Sequence, residues 1–517
     1  MADARSLVRS AWGITAWTAV SRVAGLLREV VVARLLGASA LSDAFVTAFR
    51  IPNAFRAIVG EGGLPGAFVP LAKKVERESP GEEGAYAGRV LSLLLVVLLV
   101  LVALGALFAP FVVSLFASGF RATPGKFELT VSLTRWLFPY VLFVSAASLL
   151  EAYLNAKGRF LLPAASPAVW NLAVVACALA LVPLGVPVLA ALVAGVLSGG
   201  IAQALMQVPA ARRLGFRAGG SPFGDPLVTR TAVQIAPRLY GYGIGQLNFL
   251  ISTNVLAALG DAMVTYNYLA FRIADLVRGG FVESMTRAIL PSLSEQALEK
   301  DRERYKETIS LGLRLSAFVT LPATAALVLL ARPAVDVVLR RGRFGEEAVA
   351  GTAAALVFYA LGLFAIGGVK ILTQAFYALH DTRTPVAVGT FDLLAFLGLS
   401  LSLAGPMRHA GVALATSAGF WINFALLWVL LRRRIGPVHG RALAVSFLRL
   451  GGAALVATLS VLGLSLVVPY RAGAGLALRA GWLGAAVLLG AGLYLALARL
   501  LGAPEVEETL GVFRRRR

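Results

Sequence analysis

The stretch SRVAGLLREVVVARLLGASALSDAFVTAFRIPNAFRAIVGEGGLPGAFVP, residues 21–70, decides the fold. It is apolar enough for membrane-crossing helices, yet Arg22, Arg28, Arg50 and Arg56 lie within or beside its apolar runs. A charge at the bilayer centre costs roughly 2.5–3.5 kcal/mol on insertion scales, so it persists where it faces protein or a water-filled cavity. A second stretch, TYNYLAFRIADLVRGGFVES at 265–284, adds Arg272 and Arg278. Arginine is a bidentate ligand for phosphate, so a cavity lined with it points to an anionic, phosphorylated substrate.

Working outward, the 517 residues are 58% hydrophobic and 15% charged. A soluble chain of this size carries roughly 25% charged residues. Apolar runs such as VLSLLLVVLLVLVALGALFAPFVVSLF at 90–116 recur along the whole length. The reading is an all-α polytopic membrane protein with about 14 transmembrane helices. Weak period-2 alternation argues against an outer-membrane barrel. The net charge of +21 belongs to loops on the cytoplasmic side rather than to nucleic-acid binding, for which there is no soluble module. Cys177 is the single cysteine, which excludes an intrachain disulfide and a cysteine metal cluster. His380, His409 and His439 are scattered and form no HExxH, so no metal site is assigned. GxxxxGK[ST] is absent, and no nucleotide or other cofactor is implied. Arg22 and Arg28 interrupt the first apolar stretch, so no cleaved signal peptide is expected.

Loop charge sets the orientation. With the N-terminus inside, the inner segments include KKVERE, KGR, RRLGFR, EKDRERYK, RRRIGPVHGR and the tail RRRR, about 25 basic residues against about 8 outside. Both termini are therefore expected in the cytoplasm. The outer loop ARPAVDVVLRRGRFGEE, with Arg332, Arg340, Arg341 and Arg343, runs against the rule.

An internal repeat is visible. ALSDAFVTA at 40–48 resembles ALGDAMVTY at 258–266; FVPLAKKVERE at 68–78 resembles ILPSLSEQALE at 289–299; AYLNAKGRFLLP at 152–163 resembles AFYALHDTRTP at 375–385. The offsets stay near 220 residues, and six spans separate the copies, so both face the same way. The expected organisation is two pseudo-symmetric six-helix lobes, residues 1–220 (helices 1–6) and 221–440 (helices 7–12). A C-terminal helix pair and basic tail, 441–517, follow. Transporters built this way hold substrate between lobes that rock between inward and outward states.

The charged residues in the spans are the candidate site. Arg28 is read as facing the cavity, steadied by Glu29, or as half of a structural ion pair between helices; both readings stand at this point. Arg56, just before the cluster Gly60, Gly62, Gly63 and Gly66 with Glu61 inside it, is the foremost candidate for substrate contact. Pro52 and those glycines are expected to break regular helix and to supply bending points. Arg50 is read either as a cavity residue or as the ion-pair partner of Asp43. In the eighth span, Arg272 with Asp275 and Glu283 with Arg287 have intrahelical pair spacing. Arg135, Glu151, Arg238, Arg314, Lys370 and Asp392 are lone span charges. Asp392 is the most isolated and the candidate for ion coupling.

The run at 21–70 resembles the N-terminal signature of the bacterial lipid II flippase family, the MurJ/MviN proteins. The resemblance continues through YLAFRIADLVRGGFVESMTRAILPSLS, VKILTQAFYALHDTRTPVAVG and LAGPMRHAGVALATS, so it covers essentially the whole chain in order. It implies the fold of the multidrug/oligosaccharidyl-lipid/polysaccharide exporter superfamily. It implies a transporter, not an enzyme, in the bacterial cytoplasmic membrane. The implied substrate is lipid II, undecaprenyl-diphosphate carrying a disaccharide-pentapeptide, moved from the inner to the outer leaflet for peptidoglycan synthesis. The family's cavity arginines map onto Arg22, Arg28, Arg56 and Arg272, and its acidic residues onto Glu29, Asp43 and Glu61. The C-terminal pair would offer a groove for the lipid tail. Some members bind sodium through acidic and amide groups of the seventh and eleventh helices; here the eleventh, VAVGTFDLLAFLGLSLSLAG, offers Asp392 and a few hydroxyls. Sodium, protons and membrane potential therefore all stand as coupling choices. A monomer among membrane lipids is expected. The competing reading within the superfamily is an exporter of another undecaprenyl-diphosphate-linked glycan. A polyprenyl-phosphate glycosyltransferase would need catalytic acids in sizeable loops, and these loops are short and basic.

Overall fold

The computed structural model describes residues 4–58, 63–279 and 281–508. Glu61, Gly60, Gly62, Gly280 and the RRRR tail lie outside the described residues, as do the side chains of Arg238, Arg278 and Arg287. Every regular element among the described residues is a helix. Eight helical segments are long and apolar enough to cross a membrane, and a ninth arises if Glu346–Ala360 and Leu363–Ala378, bent by 43°, form one span. The arginine-bearing helices at the N-terminus and in mid-chain fall outside this number, because their charges dilute the apolar runs.

Two compact units partition the chain. The first comprises residues 1–264 with 341–343. Its helices are α1 (Ala4–Leu36), α2 (Ala40–Ile58), α3 (Leu64–Glu78), α4 (Glu83–Leu107), α5 (Ala109–Ala117), α6 (Lys126–Leu137), α7 (Tyr140–Ala156), α8 (Leu161–Leu181), α9 (Val188–Leu205), α10 (Val208–Arg213) and α11 (Pro226–Ala257). Their burial separates lipid-facing from protein-facing spans. Only 17% of the apolar window in α4 is buried, against 72% across α6 and α7. One core joins α1, α2, α6, α7, α8 and α9 around Val31, Phe49, Tyr140, Trp170 and Leu192. Another joins α3, α4 and α7 around Phe68, Tyr86, Leu149 and Tyr153. In the latter, Phe68 and Tyr86 stack with centroids 5.6 Å apart. Gly84 is required there, since a Cβ would stand 1.8 Å from the Gly215 carbonyl oxygen.

α11 packs on α2, α3, α4 and α5. Asp225 caps it, accepting from the amides of Leu227 at 2.8 Å and Val228 at 3.3 Å, with Pro226 at its first position. The Tyr86 hydroxyl meets Thr231 Oγ1 at 2.7 Å. Arg89 Nε donates to Asp225 at 2.6 Å.

The second unit comprises residues 265–340 and 344–517. Its helices are α12 (Met263–Gly279), α13 (Phe281–Leu298), α14 (Arg302–Leu339), α15 (Glu346–Ala360), α16 (Leu363–Ala378), α17 (Arg383–Ile435), α18 (Gly440–Val467) and α19 (Leu476–Leu500). α14 packs on α13, α15, α16, α18 and α19. The long α17 breaks at Arg408, whose φ of 50° and ψ of −134° are not helical, two residues after Pro406. At the break Asn267 donates to the His409 carbonyl at 3.0 Å, and His409 Nε2 meets the Gly351 carbonyl at 2.8 Å.

The C-terminal pair, α18 and α19, is pinned to α14 at both ends. At one end Asp336, 1% exposed, accepts from Arg479 at 2.7 Å, from Arg340 at 3.1 Å and from Tyr470. Burial first, and then the carboxylate beside it, push the Tyr470 phenol above its ordinary range. At the other end buried Glu505 accepts from Arg314 at 2.9 Å and Ser446 at 2.7 Å. These contacts also hold part of the basic segment at 332–343. Arg332 pairs with Glu346, and Arg340 with both Asp336 and Glu346.

Candidate functional site

In the first unit the site is built from α1, α2 and the helices that hold them. Arg28 is 9% and Glu29 6% exposed, and the two side chains form an ion pair. The Arg28 guanidinium also lies 4.6 Å over the Trp170 ring of α8. A desolvated cation–π contact is worth about 2 kcal/mol. Trp170 is fixed in turn by Phe49 and Tyr140 at 5.5 and 5.8 Å. Arg28 is thus oriented by neighbours on two sides. Arg22 is partly buried one and a half turns earlier. Beside it, Asn171 donates to the Ser21 carbonyl at 3.4 Å.

α2 runs unbroken through Pro52 to Ile58, contrary to expectation. A proline deletes one backbone bond and bends a helix, and neighbouring helices let the helix persist. The next described helix begins at Leu64 and contains Gly66. Arg56, partly buried, directs Nε to Asn53 Oδ1 at 2.8 Å. Phe55 beside it packs on Phe138 at 6.1 Å. Phe138 leans on Gly105, where a Cβ would meet its ring at 2.2 Å.

At the head of α2, Asp43 is wholly buried and pairs with Lys126 Nζ at 2.9 Å. The same ammonium pairs with Asp261 at 2.8 Å and lies 4.0 Å over the Phe120 ring. Partial burial raises the Asp261 carboxyl, but the Lys126 ammonium outweighs it and holds the group below its ordinary range. Arg50 donates to Thr253 Oγ1 at 2.8 Å. Of the two readings of Arg50, the structure thus puts Lys126 on Asp43 and Thr253 on Arg50. Lys126 escaped sequence reading because it stands at a helix start after a polar loop, where a lysine ordinarily faces water. The signal was present: Asp43 and Asp261 occupy equivalent places in the repeat.

A second polar group that sequence reading did not assemble lies on α8, α9 and the residues just beyond. Ser166 accepts from Gln203 Nε2 at 3.2 Å, and Gln207 Nε2 donates to the Gln203 carbonyl at 2.9 Å. Gln203 Oε1 and Gln207 Oε1 are buried and accept from nothing. Each such atom costs about 1–3 kcal/mol.

In the second unit Arg272 is exposed, with its guanidinium 5.2 Å over the Tyr268 ring one turn earlier. Phe271 packs on Tyr359 at 5.4 Å, and the Tyr359 hydroxyl donates to Asn267 at 3.0 Å. Asp275 is partly buried on the same helix. Glu283 pairs with Lys370 of α16, which removes Lys370 from the lone charges. Arg314 leaves them as well, through Glu505. Asp392 is 5% exposed and accepts from Asn423 Nδ2 at 3.2 Å. Gly419 permits this arrangement, since a Cβ would stand 2.6 Å from Asp392 Oδ1. Among the described residues no group of three or more His, Cys, Asp or Glu side chains converges as a metal site.

The chain is similar to known proteins over most of its length. The profile of the family described as Lipid II flippase MurJ matches residues 32–478. The Lipid II flippase MurJ of Burkholderia cenocepacia is 34% identical over 459 residues, covering 87% of this chain and 89% of that protein. The probable lipid II flippase MurJ of Vibrio cholerae is 30% identical over 508 residues, covering 96% and 97%. Among solved structures, a lipid II flippase MurJ in an inward closed conformation superposes with a TM-score of 0.79. It is 22% identical and covers 94% of this chain and 98% of its own. An inward-facing multidrug resistance MATE family transporter of the MOP superfamily gives 0.62 at 16% identity, covering 82% and 94%. The arginine-bearing helices, the all-helical architecture and these matches agree: the chain belongs to the lipid II flippase MurJ family.

Proposed function

We propose that this multi-pass protein of the bacterial cytoplasmic membrane carries lipid II from the inner to the outer leaflet by alternating access. It is a transporter rather than an enzyme. The observation that carries the reading is a set of arginines retained within membrane-type helices of a chain from this family. A diphosphate carries about two negative charges, and guanidinium groups neutralise them in a low-dielectric cavity. Unaided passage through hydrocarbon would meet a large desolvation penalty. Helices that keep the headgroup paired lower that barrier.

In this reading Arg28, Arg56 and Arg272 contact the diphosphate, and Arg22 contacts it or supports Arg28. Glu29 orients Arg28, Asp43 organises the head of α2 through Lys126, and Glu61 follows Arg56 in the bending segment. Fourteen crossings in two lobes, 1–220 and 221–440, with the pair 441–517, place both termini in the cytoplasm by loop charge. The protein works as a monomer among membrane lipids. Asp392 with Asn423 is the candidate ion-coupling pair, for sodium or a proton, with membrane potential as the alternative drive.

The test is lipid II exposure on the outer leaflet of cells whose sole flippase is this chain. Arg56→Ala at matched expression is expected to lower exposure about 100-fold, as for loss of a desolvated charge contact of about 2–3 kcal/mol. Wild-type levels in that variant would remove Arg56 from the path. No exposure with folded wild type would overturn the substrate.

A further inference from the structure

The first unit holds an apolar cavity of about 510 Å³ that the transport reading does not use. It lies among α2, α4, α5 and α11, with Phe138 at the turn from α6 to α7 in its wall. Gln246 is the one polar side chain in its lining. From α2 it takes Ile51, Ala54 and Phe55, spaced as one stripe of a helix. Arg56 is not on that stripe, so the cavity is distinct from the surroundings of the arginine. The cavity opens toward hydrocarbon: α4 is 17% buried over its apolar window, and Leu104 and Phe108 in the lining are about half exposed. A groove of this kind accepts a hydrocarbon chain from any lipid, and a charge beside it selects the headgroup. Arg135 of α6 is that charge. It is exposed, and it stands three residues before Phe138, on the same side of the chain. Its Nε donates to the Ala106 carbonyl at 3.1 Å, next to Gly105 of the lining. Among the described residues Arg135 pairs with no carboxylate. Glu128, the one acid of α6, is two turns away along the helix, about 10 Å.

We propose that this cavity is a phospholipid site: one acyl chain lies in the groove, and the phosphate of an anionic headgroup rests on Arg135. The depth fits. From Val90, where the apolar run of α4 begins, to Ala106 the helix climbs about 24 Å, most of the roughly 30 Å of a bilayer core. Arg135 therefore meets α4 near a membrane boundary. Trp136 beside it is 65% exposed, and tryptophan collects at that level. A guanidinium without a carboxylate there is matched by the phosphates of the lipid headgroups. By loop charge the leaflet is the outer one. The occupant is a phospholipid rather than the transported lipid, because a single guanidinium beside a single groove suits one phosphate and one chain. A diphosphate answers to the several arginines of the transport site. The chain supplies apolar contacts between α11 and the pair α2 and α4, so occupancy stabilises their packing.

The test places the purified full chain in nanodiscs of equal phosphatidylglycerol and phosphatidylcholine with matched acyl chains. Native mass spectrometry counts the lipids kept on release into detergent. Wild type is expected to retain a phosphatidylglycerol that Arg135→Gln loses or exchanges for phosphatidylcholine. The ratio of the two lipids should shift about fivefold, the attraction of one arginine for an anionic headgroup. Arg135→Lys is expected to keep the wild-type ratio. Leu101→Trp, which fills the groove, is expected to lose the retained lipid of either kind. Equal ratios in wild type and Arg135→Gln would overturn the proposal, and so would full retention in folded Leu101→Trp. Arg135 is exposed, so its two variants decide the matter if Leu101→Trp does not fold. Geranylgeranyl diphosphate, added to wild type, separates the sources. The phospholipid is expected to stay; its displacement would assign the groove to a prenyl lipid and overturn the proposal.

Discussion

Ala54-Phe55-Arg56 in the first unit and Ala270-Phe271-Arg272 in the second are the same three residues, set in different surroundings. The phenylalanine has one setting in both: Phe55 against Phe138 at 6.1 Å, Phe271 against Tyr359 at 5.4 Å. The arginines differ. Arg56 is partly buried and fixed through Nε to Asn53. Arg272 is exposed and laid 5.2 Å over Tyr268. The first arrangement orients a guanidinium through a hydrogen bond. The second supports one through an aromatic ring. The aromatic anchor is common to both, and what steers the charge differs.

The other duplicated pair offers the largest effect with which to probe this contrast. Asp43 and Asp261 hold equivalent places in the repeat and share Lys126, yet the Asp43 side chain is 0% and that of Asp261 46% exposed. Removing one partner of a buried ion pair costs 3–5 kcal/mol, and Lys126 would keep Asp261. Asp43→Asn is therefore expected at the low end, about 3 kcal/mol. Asp261→Asn should cost no more than about 1 kcal/mol, as for an exposed pair. Thermal unfolding of the purified chain compares them, and equal losses would break the contrast between buried and exposed copies. Because Lys126 depresses the Asp261 carboxyl, its contribution is full at neutral pH. It fades only as pH falls below about 4, through the lowered value.

A middle-sized effect separates the arginines themselves. Lysine keeps the charge and loses the fork. Arg56→Lys removes the Nε donor that Asn53 holds, so lipid II exposure should fall about tenfold, near 1.4 kcal/mol. Arg272→Lys leaves an ammonium that still sits on Tyr268, and a loss of about threefold or less is expected. Equal losses in the exposure assay would mean that the two surroundings do not matter. A larger loss at Arg272 would invert the comparison.

Much of this was legible in the sequence, for identifiable reasons. The helical class followed from apolar runs of span length, since hydrocarbon leaves the backbone no other partner than itself. Arg28, Arg56 and Arg272 stood out because charge in such runs is costly. Glu29 adjoins Arg28 in the chain, so their pairing needed no tertiary information. What escaped was contact between distant segments. Lys126 reaches Asp43 across 83 positions, and Trp170 reaches Arg28 from another helix. Ser166 and Gln203, 37 positions apart, meet across α8 and α9 with no local sign in the sequence. Pro52 misled in the opposite direction, because the sequence marks a lost hydrogen bond but not the packing that carries a helix past it.

The smallest expected effect bears most directly on what distinguishes the second arginine. If Tyr268 holds Arg272 through its ring, then the hydroxyl is dispensable and the π face is not. Tyr268→Phe should leave lipid II exposure within about twofold of wild type, because the quadrupole that attracts the cation survives. Tyr268→Leu retains an apolar side chain of similar reach and loses that quadrupole. A drop of about threefold is expected, the equivalent of the 0.5–1 kcal/mol of an exposed cation–π contact. Combining it with Arg272→Lys then tests the coupling: if the ring serves both cations the two losses add, and if lysine has already left the ring the combined loss is smaller than their sum. Wild-type exposure in Tyr268→Leu would place Tyr268 outside the support of Arg272. The two units would then differ in what surrounds Arg56 alone.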